Sequence, residues 1–126
     1  MRQLQSTLVG FALGLCLLIA AGCDRSASPP VPLAVEQLPS MLEKVFGKAN
    51  PEVKELVNQI ISSVKAQDYT KAFADFQSLA AVPGLTREQS SVVGRGTLTV
   101  NGLMQAAAAK GDENAAQAVK VYRSTK

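Results

Sequence analysis

The stretch Asn50-Pro51-Glu52-Val53-Lys54-Glu55-Leu56-Val57-Asn58-Gln59-Ile60-Ile61-Ser62-Ser63-Val64-Lys65 decides the fold. Asn50 offers an N-cap oxygen, and Pro51 takes the first helical position, where its missing N–H removes no bond. Glu52 adds negative charge at the positive end of the helix dipole. Val53, Leu56, Val57, Ile60, Ile61 and Val64 then form one apolar stripe, while Lys54, Glu55, Asn58, Ser62 and Lys65 take the opposite face. The spacing predicts an amphipathic helix over about 51–66.

Asp68 caps the next helix, in which Tyr69, Ala72, Phe73, Phe76, Leu79 and Ala80 hold the same spacing until Pro83-Gly84 ends it. A linker of two or three residues folds these two helices back on one another as an antiparallel hairpin. Upstream, Leu38, Met41, Leu42, Val45 and Phe46 predict a short first helix. Ser40 and Glu43 offer it a capping box if it begins there, and Gly47 offers an αL stop.

Downstream, Thr86-Arg87-Glu88-Gln89 reads as a second capping box. Val92, Val93, Leu98, Val100, Leu103, Met104 and Ala107 continue it as a long fourth helix to Lys110. Gly94, Gly96 and Gly102 each weaken a helix by up to about 1 kcal/mol relative to Ala. Residues 97–100 (Thr-Leu-Thr-Val) alternate like a strand, but no second alternating run is present to pair with them. Helix is therefore the reading, with Gly96 as a site of close helix approach. Gly111-Asp112 repeats the stop-and-cap pattern, and Ala115, Ala118, Val119 and Tyr122 line a last helix over 113–123. The expectation is an all-α domain over 36–126, with about five helices in stacked antiparallel hairpins.

The capped turns Lys65-Ala66-Gln67-Asp68 and Ala109-Lys110-Gly111-Asp112 lie 44 residues apart, each between a longer and a shorter helix. This is a weak internal duplication. Residues 67–76, with the aspartate-aromatic turn Asp68-Tyr69, the small Ala72 and Phe76 four residues on, resemble the turn and second helix of a tetratricopeptide repeat. Leu56 and Ile60 stand where that family places an aromatic and a small residue in its first helix. The resemblance implies helical pairs packed on one another and a protein-binding role.

The chain of 126 residues carries 13 Lys+Arg and 10 Asp+Glu, is 47% hydrophobic, and has no His and no Trp. One domain is the most this length supports. Its two cysteines, Cys16 and Cys23, both precede the helical region, so no disulfide is expected inside it. Lack of imidazole and of an internal thiol removes the commonest general base, Cys/His nucleophile pairs and ordinary zinc or haem ligand sets. Basic residues are scattered singly, so nucleic acid is not an expected partner.

Residues 1–22 read as a secretory signal: Arg2 supplies the positive start and residues 8–21 an uncharged apolar run interrupted by Gly10 and Gly14. That run is short of the roughly 20 residues a spanning helix needs, although an uncleaved anchor is the rival reading. The run ends in Ile19-Ala20-Ala21-Gly22-Cys23, which resembles the lipobox of bacterial lipoproteins, with Ala20 at the place where that family prefers Leu. The rival reading makes Cys23 a small apolar residue ending an ordinary signal. The resemblance implies that Cys23 receives a diacylglycerol and becomes the mature N-terminus, so the membrane is a partner through covalent lipid. Asp24 follows it; in enterobacterial lipoproteins an Asp here accompanies retention in the inner membrane, and the choice of inner or outer membrane stays open. Residues 23–35, with Pro29, Pro30 and Pro32, read as a proline-rich tether.

Several fragments of chemical motifs occur. Ser62-Ser63-Val64-Lys65 fits S-x-x-K, but both reactive groups fall on the solvated face and no companion motif follows. Gly94-Arg95-Gly96 has Thr99 where a dinucleotide fingerprint needs its third glycine, and Asp112-Glu113-Asn114 lacks the later residues of a calcium loop. Glu52/Glu55 and Asp112/Glu113 sit in first helical turns, where the dipole accounts for them. Phe46, Tyr69, Phe73, Phe76 and Tyr122 sit at core-facing positions. No catalytic, cofactor or metal residue is assigned. The expected function is a non-catalytic interaction or structural module on the periplasmic side of a bacterial membrane, presented to another envelope protein. The alternative is a carrier of a small apolar ligand in a cleft left by the glycines of the fourth helix.

Overall fold

The computed structural model describes residues 28–126. The expectations for residues 1–22, Cys23 and Asp24 lie outside that range. Five α-helices follow a single 3₁₀ turn at Val35–Gln37: α1 (Leu38–Phe46), α2 (Pro51–Lys65), α3 (Tyr69–Ala80), α4 (Arg87–Ala109) and α5 (Glu113–Ser124). No strand occurs among the described residues, and the fold is all-α.

The caps read from sequence set most of these ends. The Asn50 side chain accepts the Val53 N–H at 2.9 Å and that of Asp68 the Lys71 N–H at 3.0 Å. Thr86 and Gln89 form both arms of a capping box, at 3.1 Å and 3.0 Å. Gln89 also donates from Nε2 to the Val45 carbonyl at 3.0 Å, which ties the start of α4 to the end of α1.

Two expectations about α1 need correction. It begins at Leu38, before Ser40, and the Ser40 hydroxyl donates backward to the Gln37 carbonyl in place of a capping box. Leu38 is fully buried, so its burial against α4 extends the helix ahead of the cap that sequence offered. Gly47 keeps right-handed geometry at φ −57°, so no αL stop forms there. A Cβ on it would lie 3.1 Å from the Glu43 carbonyl oxygen, which gives the glycine a steric reason instead.

The packing forms a ring: α1 contacts α2 and α4, and α3 contacts α2 and α4. α2 and α4 thus stand across the core from one another. Leu38, Leu42 and Phe46 from α1, Val57 and Ile60 from α2, Phe76 and Leu79 from α3, and Val100 and Met104 from α4 fill that core. α5 lies outside the ring on α4 and α3. Ala115 is buried there, and Tyr122 meets Phe73 edge-on with centroids 5.1 Å apart.

The two helix corners repeat bond for bond at an offset of 44 residues. Asp68 N–H donates to the Ser63 carbonyl and Asp112 N–H to that of Ala107; Gln67 N–H donates to Val64 and Gly111 N–H to Ala108. Each corner turns through one residue of positive φ, Gln67 at 59° and Gly111 at 98°. Each then restarts the chain on an aspartate cap. This is a Schellman-type stop joined directly to an N-cap.

At Gly96, α4 packs tightly against Phe76 of α3. A Cβ there would sit 2.6 Å from Phe76 Cζ, so the phenyl ring occupies the space a side chain would need. The reading of Gly96 as a contact glycine holds, and the segment around it continues as α-helix rather than strand.

Candidate functional site

Cys23 and Asp24, the lipid-attachment and sorting residues expected from sequence, precede the described residues. Where the chain enters the described region, it lies on α4. Arg95 Nε donates to the Val31 carbonyl at 2.8 Å, and the Thr99 hydroxyl donates to the Leu33 carbonyl at 2.5 Å. Arg95 and Thr99 are four residues apart on a helix and therefore one above the other. They hold two alternate carbonyls of an extended segment. Leu33, whose carbonyl Thr99 holds, is only 5% exposed. The proline-rich stretch, read as a spacer through residue 35, is thus pinned to the folded body from Val31 onward.

This strap was not foreseen. Its signal was Leu33, an apolar residue among prolines, but nothing local shows which surface receives it. Pairings 64 and 66 residues apart carry the answer.

Beside the strap runs the outer face of α4, opposite its core-facing side. Ser91, Gly94, Leu98, Gly102 and Gln105 recur there at helical spacing and are all exposed. Between Glu88 and Lys110, Arg95 is the one charged residue of the sequence. Leu98, expected in the apolar stripe of the fourth helix, is 39% exposed, because it falls outside the arc set by Val93, Val100 and Met104. Val31, at the head of the strap, is 65% exposed. The expected cleft at the glycines of α4 does not form around Gly96, which Phe76 and Leu38 fill, while Gly94 and Gly102 meet open space.

Polar side chains away from the strap act as caps, form an ion pair or lie on the solvated surface. Asp68 and Asp112 cap helices, Lys71 and Asp75 pair at 2.6 Å one turn apart on α3, and Ser62 and Lys65 are exposed on α2. Phe46, Phe73 and Phe76 are buried, and Tyr69 and Tyr122 half-buried. Among the described residues no group of three His, Cys, Asp or Glu side chains is placed to hold a metal ion. No helix among them is long and apolar enough to cross a membrane. No protein-family model, curated protein or solved structure matches this chain.

Proposed function

We propose that this chain is a lipid-anchored bacterial envelope protein whose helical body is a non-catalytic interaction module. The observation that carries the reading is Ile19-Ala20-Ala21-Gly22-Cys23 at the end of an uncharged apolar run. A diacylglycerol thioether on Cys23 with a further acyl chain on its amine anchors far more firmly than one chain, since each buried CH₂ contributes about 0.8 kcal/mol. The strap on α4 supports the same reading: it links the anchoring segment to the body through a defined attachment rather than a loose end.

The body offers its partner the α2 side, which lies across the ring from that attachment. Glu52, Lys54, Glu55, Asn58, Gln59, Ser62 and Lys65 are exposed there, a surface of both charge signs suited to a specific protein contact.

Mass measurement of the mature N-terminus tests the anchor, with wild type compared against Cys23→Ser. Wild type is expected to start at Cys23 and carry diacylglyceryl mass that the variant lacks; a wild-type chain without added lipid overturns the assignment. A photo-crosslinking residue at Gln59 in intact cells tests the interaction. One discrete adduct band is expected, and no adduct at any exposed α2 position removes the partner.

A further inference from the structure

We infer that the outer face of α4 rests on the bilayer surface, so that the strap sets the orientation of the body as well as its attachment. This rests on lipidation of Cys23.

The first argument is reach. From Cys23 to Val31 there are eight peptide steps, and a chain extends by at most about 3.5 Å per residue, so the anchor lies within about 28 Å of Val31 whatever path the segment takes. A body of about 100 residues has a radius of gyration near 13 Å, which gives half a circumference of roughly 50 Å. The connection cannot pass around to the α2 side. The hemisphere that carries Val31, Arg95 and the adjoining turns of α4 is therefore the one held toward the membrane.

The second argument is what that hemisphere presents. Ser91, Gly94, Leu98, Gly102 and Gln105 carry no charge, so the face meets the interface without desolvating an ion. Leu98 and Val31 are two of the three exposed large hydrophobic residues of the described chain, and Val31 is bonded to Arg95, one turn of α4 from Leu98. With Gly94 and Gly102 on either side, Leu98 projects from a helix surface that otherwise lies low. Arg95 has guanidinium N–H donors beyond the Nε given to Val31, suited to lipid phosphate. A shallow apolar contact beside a cation matches the headgroup boundary of an anionic bilayer.

The test uses the full lipidated chain. Its only mature cysteine, Cys23, is blocked by the thioether, so an introduced cysteine is the one free thiol. Leu98→Cys and Gly102→Cys on the α4 face, and Ser62→Cys on α2, are each labelled with an environment-sensitive fluorophore. The proteins are then placed in phosphatidylethanolamine/phosphatidylglycerol vesicles with and without brominated lipids. Positions 98 and 102 are expected to shift to shorter emission wavelength and lose at least half their intensity to brominated lipid, with position 62 unchanged. Equal behaviour at all three positions, in a sample whose Cys23 carries lipid mass, overturns the orientation and leaves the anchor standing. Absence of that mass overturns both. Labels at 98 and 102 that are shielded in native membranes yet exposed in protein-free vesicles assign the face to a protein and overturn the bilayer assignment.

Discussion

Three glycines of one helix permit a test of the packing in which the sign of the effect changes with position. Gly96 is buried in α4, and a Cβ on it would lie 2.6 Å and 2.8 Å from two carbons of the Phe76 ring and 3.1 Å from Leu38 Cδ2. Phe76 and Leu38 are both fully buried, so neither can swing into solvent to make room. Overpacking a tight core costs about 1–3 kcal/mol, and two contacts this short place Gly96→Ala at the upper end. The gain from Ala over Gly in a helix interior returns about 1 kcal/mol. The net is a destabilisation of about 2 kcal/mol, a fall in Tm of roughly 10 °C for a body of this size. Gly94→Ala and Gly102→Ala place a Cβ where no atom lies within 4 Å. Only the propensity gain applies there, and Tm should rise by about 4–8 °C in each. Thermal unfolding of the detergent-solubilised full chain, followed by far-UV circular dichroism, reads all three. A shift of the same sign in all three variants refutes the reasoning, because it means that the α3–α4 contact does not depend on the missing side chain.

Other consequences follow from the corners, the caps and the strap. At the two equivalent corners, Gln67→Gly should stabilise by about 0.5–1 kcal/mol by relieving a left-handed non-glycine residue, whereas Gly111→Ala should destabilise by about 1 kcal/mol or more; denaturant midpoints measured together check the pair. Thr86→Ala should cost about 1 kcal/mol, and Gln89→Ala should cost at least as much, because it loses the reciprocal cap and the bond to Val45; a smaller loss for Gln89→Ala in denaturant titration contradicts the α1–α4 tie. Thr99→Val keeps the side-chain shape and removes the bond to Leu33. Amide exchange over residues 31–35 should accelerate about five-fold or more while α2 and α3 stay protected, and unchanged exchange there denies the strap its clasp.

How far sequence leads depends on the distance over which each element is determined. Asn50, Asp68, Thr86 and Asp112 act on N–H groups three residues away, and all four starts were legible because cap and helix are neighbours. The apolar stripe of α2 gave its buried face for the same local reason. The stripe from Leu38 to Phe46 gave α1, but the Ser40 cap did not form, because the helix already starts at Leu38, which packs beside Gly96, 58 positions downstream. Gly47 looked like a helix stop from its type alone, yet it serves the space next to the Glu43 carbonyl. The strap was invisible because Arg95 and Thr99 read as ordinary polar residues of a helix until the carbonyls they hold are known. Periodicity over a stretch with so few charges placed Leu98 inward, although it belongs to the outer face.

The ties that close this body join its beginning to its later half: Val31 and Leu33 to Arg95 and Thr99, and Val45 to Gln89. A nine-residue helix such as α1 does not persist alone in water, so the first segments made have nothing to settle on until α4 exists. During vectorial synthesis the α2–α3 pair can form early from nearby contacts, while final closure waits until about residue 100 has emerged. A polypeptide built in this order stays open at its first helix until α4 is in place, and its core shuts in a single late step.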